Sequence, residues 1–169
     1  MTPDLTPRPV AVSQAEMLQL VLPSDANTLG NALGGVVMHH MDIVAAIAAA
    51  RHARRACVTA SVDRIDFLHP VAVGQLLVLK SSVNYAGRTS MEVGVWCGAE
   101  DPRSTHVRHT ASAYFTFVAL GDDGRPTLVP PVVPETPDQV RRHAAAARRR
   151  ADRLAQRAAP APDAAGGRP

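Results

Sequence analysis

The feature that most constrains the fold is a strongly apolar stretch, GNALGGVVMHHMDIVAAIAAARH, at positions 30–52. Residues 36–50 within it have helical character, and 12 of these 15 residues are apolar. A helix that is apolar on all sides has to be surrounded by other parts of a protein. It is too short, and too interrupted by His39, His40 and Asp42, to span a membrane. The rest of the chain therefore has to enclose this helix.

The segments that follow the helix alternate between apolar and polar residues, as half-exposed strands do. In MEVGVWCGA, from Met91, and in TASAYFTFVAL, from Thr110, apolar residues recur at every second position. Consecutive strands of this kind, with no helices between them, favour an antiparallel sheet and the α+β class. We therefore predict an antiparallel sheet wrapped around one long apolar helix.

One strand-like stretch, CVTASVDRIDFLHP, has no clean alternation, which predicts a β-bulge or a strand that passes from a site into the core. Strict alternation would place Thr59 and Ser61 on the same face of this strand. The segments AGRTS and EDPRSTH are the expected hairpin connections. In the first of them, Gly87 is suited to a positive φ angle.

Charge divides the chain into a nearly neutral body and a basic tail. Residues 1–134 contain 10 Lys and Arg against 11 Asp and Glu, whereas residues 135–169 contain 8 against 4. A nucleic-acid surface over the body is therefore not expected. We predict four parts: a flexible N-terminus (1–14), one domain (15–134), a basic C-terminal helix (135–159) and a disordered tail (160–169).

The basic helix carries only a thin stripe of apolar residues, most of them alanine. Three interpretations are open: a solvated helix lightly docked on its own body, a helix that contacts another subunit, and a basic surface for a partner.

The two cysteines, Cys57 and Cys97, have neither the spacing of a metal site nor that of a redox pair. We interpret them as small buried hydrophobic residues. The N-terminus lacks a basic start followed by an apolar run, so no secretory signal is expected. Both observations favour a reducing, cytoplasmic location.

Four blocks of the sequence occur in an order seen in one known family: PSDANTLGNALGGVVMHHMD, VTASVDRIDFLHPVAVG, GRTSMEV and AYFTFVAL. Over roughly residues 15–155 the chain resembles the hotdog-fold acyl-CoA thioesterases, in particular the bacterial YciA-type enzymes and the mammalian cytosolic acyl-CoA hydrolases. The resemblance implies a hotdog fold, a functional dimer, often a trimer of dimers, and hydrolysis of acyl-CoA to a free acid and CoA without a cofactor.

The resemblance also assigns roles to residues. It makes Asp42 catalytic and gives Asn31 a functional role, although an asparagine before a helix is equally suited to capping it. Two residues depart from the family pattern: Leu33, where His or Phe is common, and Gln75, where Asp is common. Of the two, Leu33 is the one that bears on the acyl pocket.

Gly34 and Gly35 stand where the apolar helix begins. The first amides of a helix lack internal partners and carry the positive end of its dipole. Such donors can contribute about 3–4 kcal/mol to an oxyanion transition state. The glycines could instead serve a tight entry into the helix or a close helix–sheet contact.

Asp42 follows Gly35 by seven residues and so lies on nearly the same face of the helix, about 10 Å further along its axis. One thioester carbon cannot contact both groups of one helix. Two antiparallel helices across a two-fold axis would bring Gly35 of one subunit to Asp42 of the other, which predicts a composite site at a dimer interface. Whether Asp42 is the nucleophile or the general base, or instead a structurally paired carboxylate, stays open.

His39 precedes Asp42 by three residues and is its neighbour on the helix. A metal site of these two with His40 or His52 is disfavoured, because no further ligand motif occurs and His39 and His40 point in different directions. We therefore predict no metal.

CoA is polyanionic, and the planar guanidinium group of Arg binds phosphate well. We expect the substrate to contact the hairpin residues Arg88, Thr89 and Ser90. Arg54, with its neighbours Arg51 and Arg55, is a second choice. Thr59 and Ser61 are candidates to line the pantetheine channel.

Three alternatives to a thioesterase stay open. The first is an acyl-CoA-binding module of the same fold without turnover, against which the carboxylate of Asp42 argues. The second is a hotdog enoyl-CoA hydratase or dehydratase, which needs a paired His and Asp, here only His39 and Asp42. The third is nucleic-acid binding through the Arg-rich tail.

Overall fold

The computed structural model describes residues 4–104 and 106–158. In chain order the strands are β1 (Arg8–Pro9), β2 (Ala15–Leu20), β3 (Cys57–Phe67), β4 (Leu76–Ala86), β5 (Ser90–Glu100), β6 (Val107–Ala119) and β7 (Val132–Val133), and the helices are α1 (Gly34–Ala53) and α2 (Pro137–Ala158). Neither helix of the described chain has the length and hydrophobicity that crossing a membrane requires. The predicted disordered tail, 160–169, lies outside the described residues.

The main sheet has five strands in the order β2-β4-β5-β6-β3, and each neighbouring pair is antiparallel. Short connections join β4 to β5 and β5 to β6, as the sequence predicts. The apolar residues of the paired strands alternate in the same register, so they face the same side of the sheet. The predicted α+β class with one central helix is confirmed.

The core forms between the sheet and one face of α1. Met41, Val44 and Ala48 on that face are completely buried, as are Leu77 and Phe115 of the sheet to within 1%. Such burial stabilises each large side chain by about 1.5–3 kcal/mol.

The other face of α1 is left uncovered by the residues that the structure describes. Ile47 exposes 39% of its surface there, beside the exposed Ala50 and the half-buried Ile43 one turn away on the same face. The predicted sheet around one long apolar helix is thus present, and its five strands cover one face of that helix. This leaves an apolar helix surface open.

Two register shifts interrupt the pairing of β3 with β6, one between Thr59 and Ser61 and one between Val62 and Arg64. The predicted bulge is confirmed, and a second one follows it. Each extra residue reverses the side-chain alternation locally. Residues of this edge strand that strict alternation would place on one side of the sheet therefore lie on opposite sides.

The segment before β2 differs from the predicted flexible lead. β1 pairs in parallel with β7, and Val10 and Ser13 in the following 3-10 turn are buried. The guanidinium group of the buried Arg8 donates to the carbonyl oxygen of His52. Sequence patterns missed this, because a two-residue strand depends on a partner more than a hundred residues away.

His52 lies at the C-terminal end of α1 and is completely buried. One ring nitrogen, Nε2, is 2.9 Å from the carbonyl oxygen of Pro130, and Nδ1 has no hydrogen-bond partner within the described chain. Burial lowers the pKa of this imidazole. The ring therefore acts as a neutral core residue that ties the end of α1 to residues 130–133.

α2 lies on the outer face of the sheet, the side opposite α1, and is held there by a buried carboxylate. Glu92 of β5 is 2% exposed, and its carboxylate accepts hydrogen bonds from Arg149 at 2.7 Å and 3.1 Å. Arg153 pairs with both Glu92 and Asp63, and the guanidinium carbon of Arg149 lies 3.7 Å from the centre of the Tyr114 ring. The helix is thus anchored by charge rather than by its alanine stripe.

We expect the Glu92→Gln variant to lower the free energy of unfolding by about 1–3 kcal/mol, because the half-buried guanidinium groups of Arg149 and Arg153 lose their charged hydrogen bonds to this carboxylate. Urea unfolding at fixed protein concentration measures the change. The matched control is Arg141→Gln on the same helix, whose exposed pair with Asp138 is worth about 0–1 kcal/mol. Equal stabilities of the two variants would contradict the anchoring role of Glu92.

Candidate functional site

Asp42 lies two turns into α1, at the border between its buried and open faces, and is half-buried. Its Oδ1 accepts a hydrogen bond from the Thr59 hydroxyl of β3 at 2.7 Å. The described residues offer Asp42 no other hydrogen bond and no ion pair. The carboxylate is therefore oriented by one neutral donor, and its second oxygen is available to a molecule from outside the chain.

The β3 bulge determines which hydroxyl reaches Asp42. Thr59 pairs with Phe117, whose side chain is in the core, whereas Ser61 pairs with Thr116 on the opposite face. The prediction that Thr59 and Ser61 share a face is therefore wrong, because the register shift between them reverses the alternation. Ser61 lies away from Asp42, where its hydroxyl and that of Thr116 are buried without partners in the described structure.

Gly34 and Gly35 form the exposed start of α1, as predicted. The N-cap is Leu33, which has no side chain able to accept a hydrogen bond from the first turn. The amide of Leu33 donates to Asp25, and the helix hydrogen bonds begin at Val36. Across residues 4–104 and 106–158 we find no acceptor for the amides of Gly34 and Gly35, which leaves two donors at the positive end of the helix.

Neither glycine is required by the fold of a single chain. Both have ordinary negative φ angles. A methyl group added at Gly34 would be in normal contact with Phe67, 3.5 Å away, and one added at Gly35 would meet nothing within 4 Å. The alternative of a tight helix–sheet contact therefore does not explain Gly35, and close approach by something outside the chain does.

Asn31 does not cap α1, so this interpretation is wrong: the helix begins three residues later, after Leu33. The loop before it is instead organised by Asn27. The side-chain Oδ1 of Asn27 accepts hydrogen bonds from the backbone amides of Leu29 at 2.9 Å and Asn31 at 3.2 Å. The backbone amide of Asn27 donates to the carbonyl oxygen of Asn31. The side-chain nitrogen of Asn27 has no acceptor in the described structure.

The predicted substrate-binding hairpin connects β4 and β5 at the same end of the sheet as Thr59. Phe117 of β6 pairs with Thr59 on one side and with Met91 on the other. Two strand spacings, about 10 Å, therefore separate Thr59 from the start of β5. Arg88 is exposed at the tip of the hairpin, with Thr89 and Ser90 half-buried beside it.

Gly87 in this hairpin does not have the predicted positive φ. Its lack of a side chain serves a close contact instead: a methyl group there would lie 3.0 Å from Nε and 3.1 Å from Nη2 of Arg150. The guanidinium group of Arg150 thus packs directly on the hairpin.

Arg54 lies apart from these groups. It ends α1 in the left-handed conformation, with φ 53° and ψ 37°, about 18 Å beyond Asp42 along the helix axis. The structure therefore does not bring Arg54 to Asp42 or to the first turn of α1.

Other nucleophilic or metal-binding groups do not join the site. Burial raises the pKa of the Cys57 thiol to about 11 and also raises that of Cys97, so both thiols are protonated at neutral pH. The rings of His39 and His40 contact each other, with 5.3 Å between their centres. In the part of the chain that the structure describes, no three His, Cys, Asp or Glu residues are grouped as metal ligands.

Residues 29–104 match the model of the Thioesterase superfamily. The uncharacterized acyl-CoA thioester hydrolase YkhA of Bacillus subtilis is 41% identical, over 79% of this chain and 77% of its own. The human cytosolic acyl coenzyme A thioester hydrolase is 42% identical, over 83% of this chain and 38% of its own.

Solved structures agree. An acyl-CoA hydrolase from Staphylococcus aureus, in complex with butyryl coenzyme A, coenzyme A and coenzyme A disulfide, has a TM-score of 0.84 and 37% identity over 89% of this chain and 92% of its own. A hexameric acyl-CoA thioesterase has a TM-score of 0.87 and 37% identity over 92% and 99%. Further structures of the S. aureus enzyme carry alanine in place of one asparagine, one aspartate or one threonine.

The chain belongs to the acyl-CoA thioester hydrolases of the thioesterase superfamily. The predicted hotdog fold and the predicted class of enzyme are thereby confirmed.

Proposed function

We propose that the chain hydrolyses acyl-CoA to a free carboxylic acid and CoA, with Asp42 as the reacting carboxylate. The observation that carries this proposal is the hydrogen bond between Asp42 and Thr59 at the open face of α1. A carboxylate in that position has one oxygen fixed and one oxygen directed to incoming substrate or water. It can attack the thioester carbon as a nucleophile or activate a water molecule as a base.

The amides of Gly34 and Gly35 are the proposed donors to the thioester carbonyl oxygen. As the tetrahedral intermediate forms, that oxygen becomes negative, and unpaired amides at a helix N-terminus stabilise such charge. Asp42 of the same helix is about 10 Å away, so the amides come from a second copy of the chain. The uncovered face of α1, with Ile47 and Ala50 exposed, supports a homodimer in which two such helices meet.

A trimer of dimers is the proposed higher assembly. The hexameric thioesterase that this chain resembles over 92% of its length supports it. The predicted cytoplasmic location remains a prediction.

The proposed functional asparagine is Asn27 rather than Asn31. In the S. aureus enzyme the substituted asparagine, aspartate and threonine are separated by 15 and 17 residues. Asn27, Asp42 and Thr59 have the same separations here. The side-chain nitrogen of Asn27, which has no acceptor in the described chain, is available to bind a carbonyl oxygen or a water molecule.

For the CoA moiety we propose the β4–β5 hairpin, with Arg88, Thr89 and Ser90 as contacts. Its position at the Thr59 end of the sheet supports this assignment. Arg54 has no comparable support, since it lies at the far end of α1.

The two same-fold alternatives have less support. A binding module does not require a reactive carboxylate at an open helix face. A hydratase requires a His working with Asp42, and among the described residues Asp42 bonds to Thr59 and makes no hydrogen bond or ion pair with His39.

The proposal is tested with purified protein, acyl-CoAs from acetyl to palmitoyl, and a chromogenic thiol reagent. We expect CoA release, with kcat/KM of about 10⁴ M⁻¹s⁻¹ or more for the preferred chain length. No release from any acyl-CoA would refute the proposal. Loss of enoyl-CoA absorbance without thiol release would identify a hydratase instead.

A further inference from the structure

Two arginines at the β4–β5 hairpin differ in their charge environment from the arginines of α2 that make ion pairs. Arg141 and Arg142 pair with Asp138, Arg149 with Glu92, and Arg153 with Asp63 and Glu92. Arg150, on the same helix, and Arg88, on the hairpin, pair with no carboxylate in the described chain. The anchoring arginines are thus neutralised, whereas Arg150 keeps its charge and lies against Gly87, the residue that precedes Arg88 in the hairpin.

Arg150 is held in place although it has no ionic partner. Its guanidinium group packs on Gly87, where a methyl group would be only 3.0 Å from Nε, and its guanidinium carbon lies 5.9 Å from the centre of the Tyr85 ring. It borders a cavity of about 60 Å³ together with Ser90. Glu92 and Arg153 line this cavity too, but they are paired with each other. Arg150 therefore supplies the unpaired charge there, and a positioned guanidinium group without an ionic partner favours binding of an anion.

We propose that Arg150 of α2 binds a phosphate of coenzyme A together with Arg88, so that the C-terminal helix is part of the substrate site. The proposal rests on the proposed thioesterase function. A CoA ester carries its phosphates far from its thioester, and the hairpin is separated from Thr59 by about 10 Å across the sheet. The ester can therefore have its acyl carbon near Asp42 and its nucleotide at the hairpin.

The test compares Arg150→Gln with wild type on three forms of the preferred ester: acyl-CoA, acyl-dephospho-CoA and acyl-pantetheine. We expect kcat/KM for acyl-CoA to fall about 10- to 100-fold, as loss of a charged hydrogen bond predicts, mainly through KM. Activity on acyl-pantetheine, which has no nucleotide, should not change. If the effect disappears with acyl-dephospho-CoA, Arg150 binds the 3′-phosphate; if it persists there, Arg150 binds the diphosphate.

Arg148→Gln is the matched control, since Arg148 is an exposed arginine of the same helix that also has no carboxylate partner in the described chain. Its kcat/KM for acyl-CoA should stay within about 2-fold of wild type. The inference is overturned if Arg150→Gln resembles this control, or if it reduces activity equally on all three esters. A wild-type protein without thioesterase activity would instead refute the proposed function itself.

Discussion

Replacing Asp42 by asparagine should lower kcat for the preferred acyl-CoA by about 10²- to 10⁴-fold. Asparagine keeps the shape of the side chain and can still accept the hydrogen bond from Thr59, but it cannot act as a base or as a carboxylate nucleophile. Thiol release under saturating substrate measures the loss. The assembly and the unfolding transition should not change, because asparagine has the same size and keeps the hydrogen bond to Thr59.

Asp66→Asn is the control for removal of a carboxylate near this site. Asp66 is on the same strand as Thr59 and pairs with the exposed Arg64. Its variant should retain wild-type turnover within about 2-fold, since exposed pairs contribute little. Full activity of the Asp42→Asn variant would remove this residue from the mechanism.

Mixing two inactive variants should restore activity if the site is shared between subunits. In a dimer of one Asp42→Asn chain and one Gly35→Leu chain, one composite site contains both changes and the other contains neither. Random co-assembly from equal amounts should therefore give about a quarter of wild-type activity. Thiol release by co-expressed protein, compared with each variant alone, measures this.

A Cβ added at Gly35 meets nothing within 4 Å in the described chain, and the unfolding transition of each variant alone shows whether both parents fold. If the site were contained in one chain, mixing should restore no activity, because every subunit would then carry one inactivating substitution. A co-assembled protein as inactive as its parents would thus disprove the composite site.

The sequence predicted the elements whose periodicity is local. The alternating runs of β5 and β6 and the apolar α1 reveal themselves within a dozen residues, and the family blocks supply the position of Asp42. Gly87 was misread, because a glycine needed for space has the same signature as one needed for a positive φ. The neighbour that requires the space, Arg150, is more than sixty residues away.

Residues whose role depends on register or on a distant partner could not be predicted. Ser61 is assigned to the wrong face by simple alternation, since nothing local shows how the bulge of β3 falls. Asn27 lies in a loop rich in Asn, Asp and Gly, where an asparagine is ordinary and indicates no function by itself. The anchoring of α2 by Glu92 could not be predicted either, because no local pattern shows that a helix from the end of the chain covers this polar position of β5.

At Gly35 the requirements of folding and of catalysis are separate, whereas at most positions of a protein they coincide. A Cβ there meets nothing within 4 Å among the described residues, so cellular abundance should tolerate small substitutions. Catalytic output should tolerate few. In a mutational scan, the scores for protein abundance and for thioesterase activity should therefore diverge at Gly35. At core positions such as Phe115, substitutions should lower both scores together.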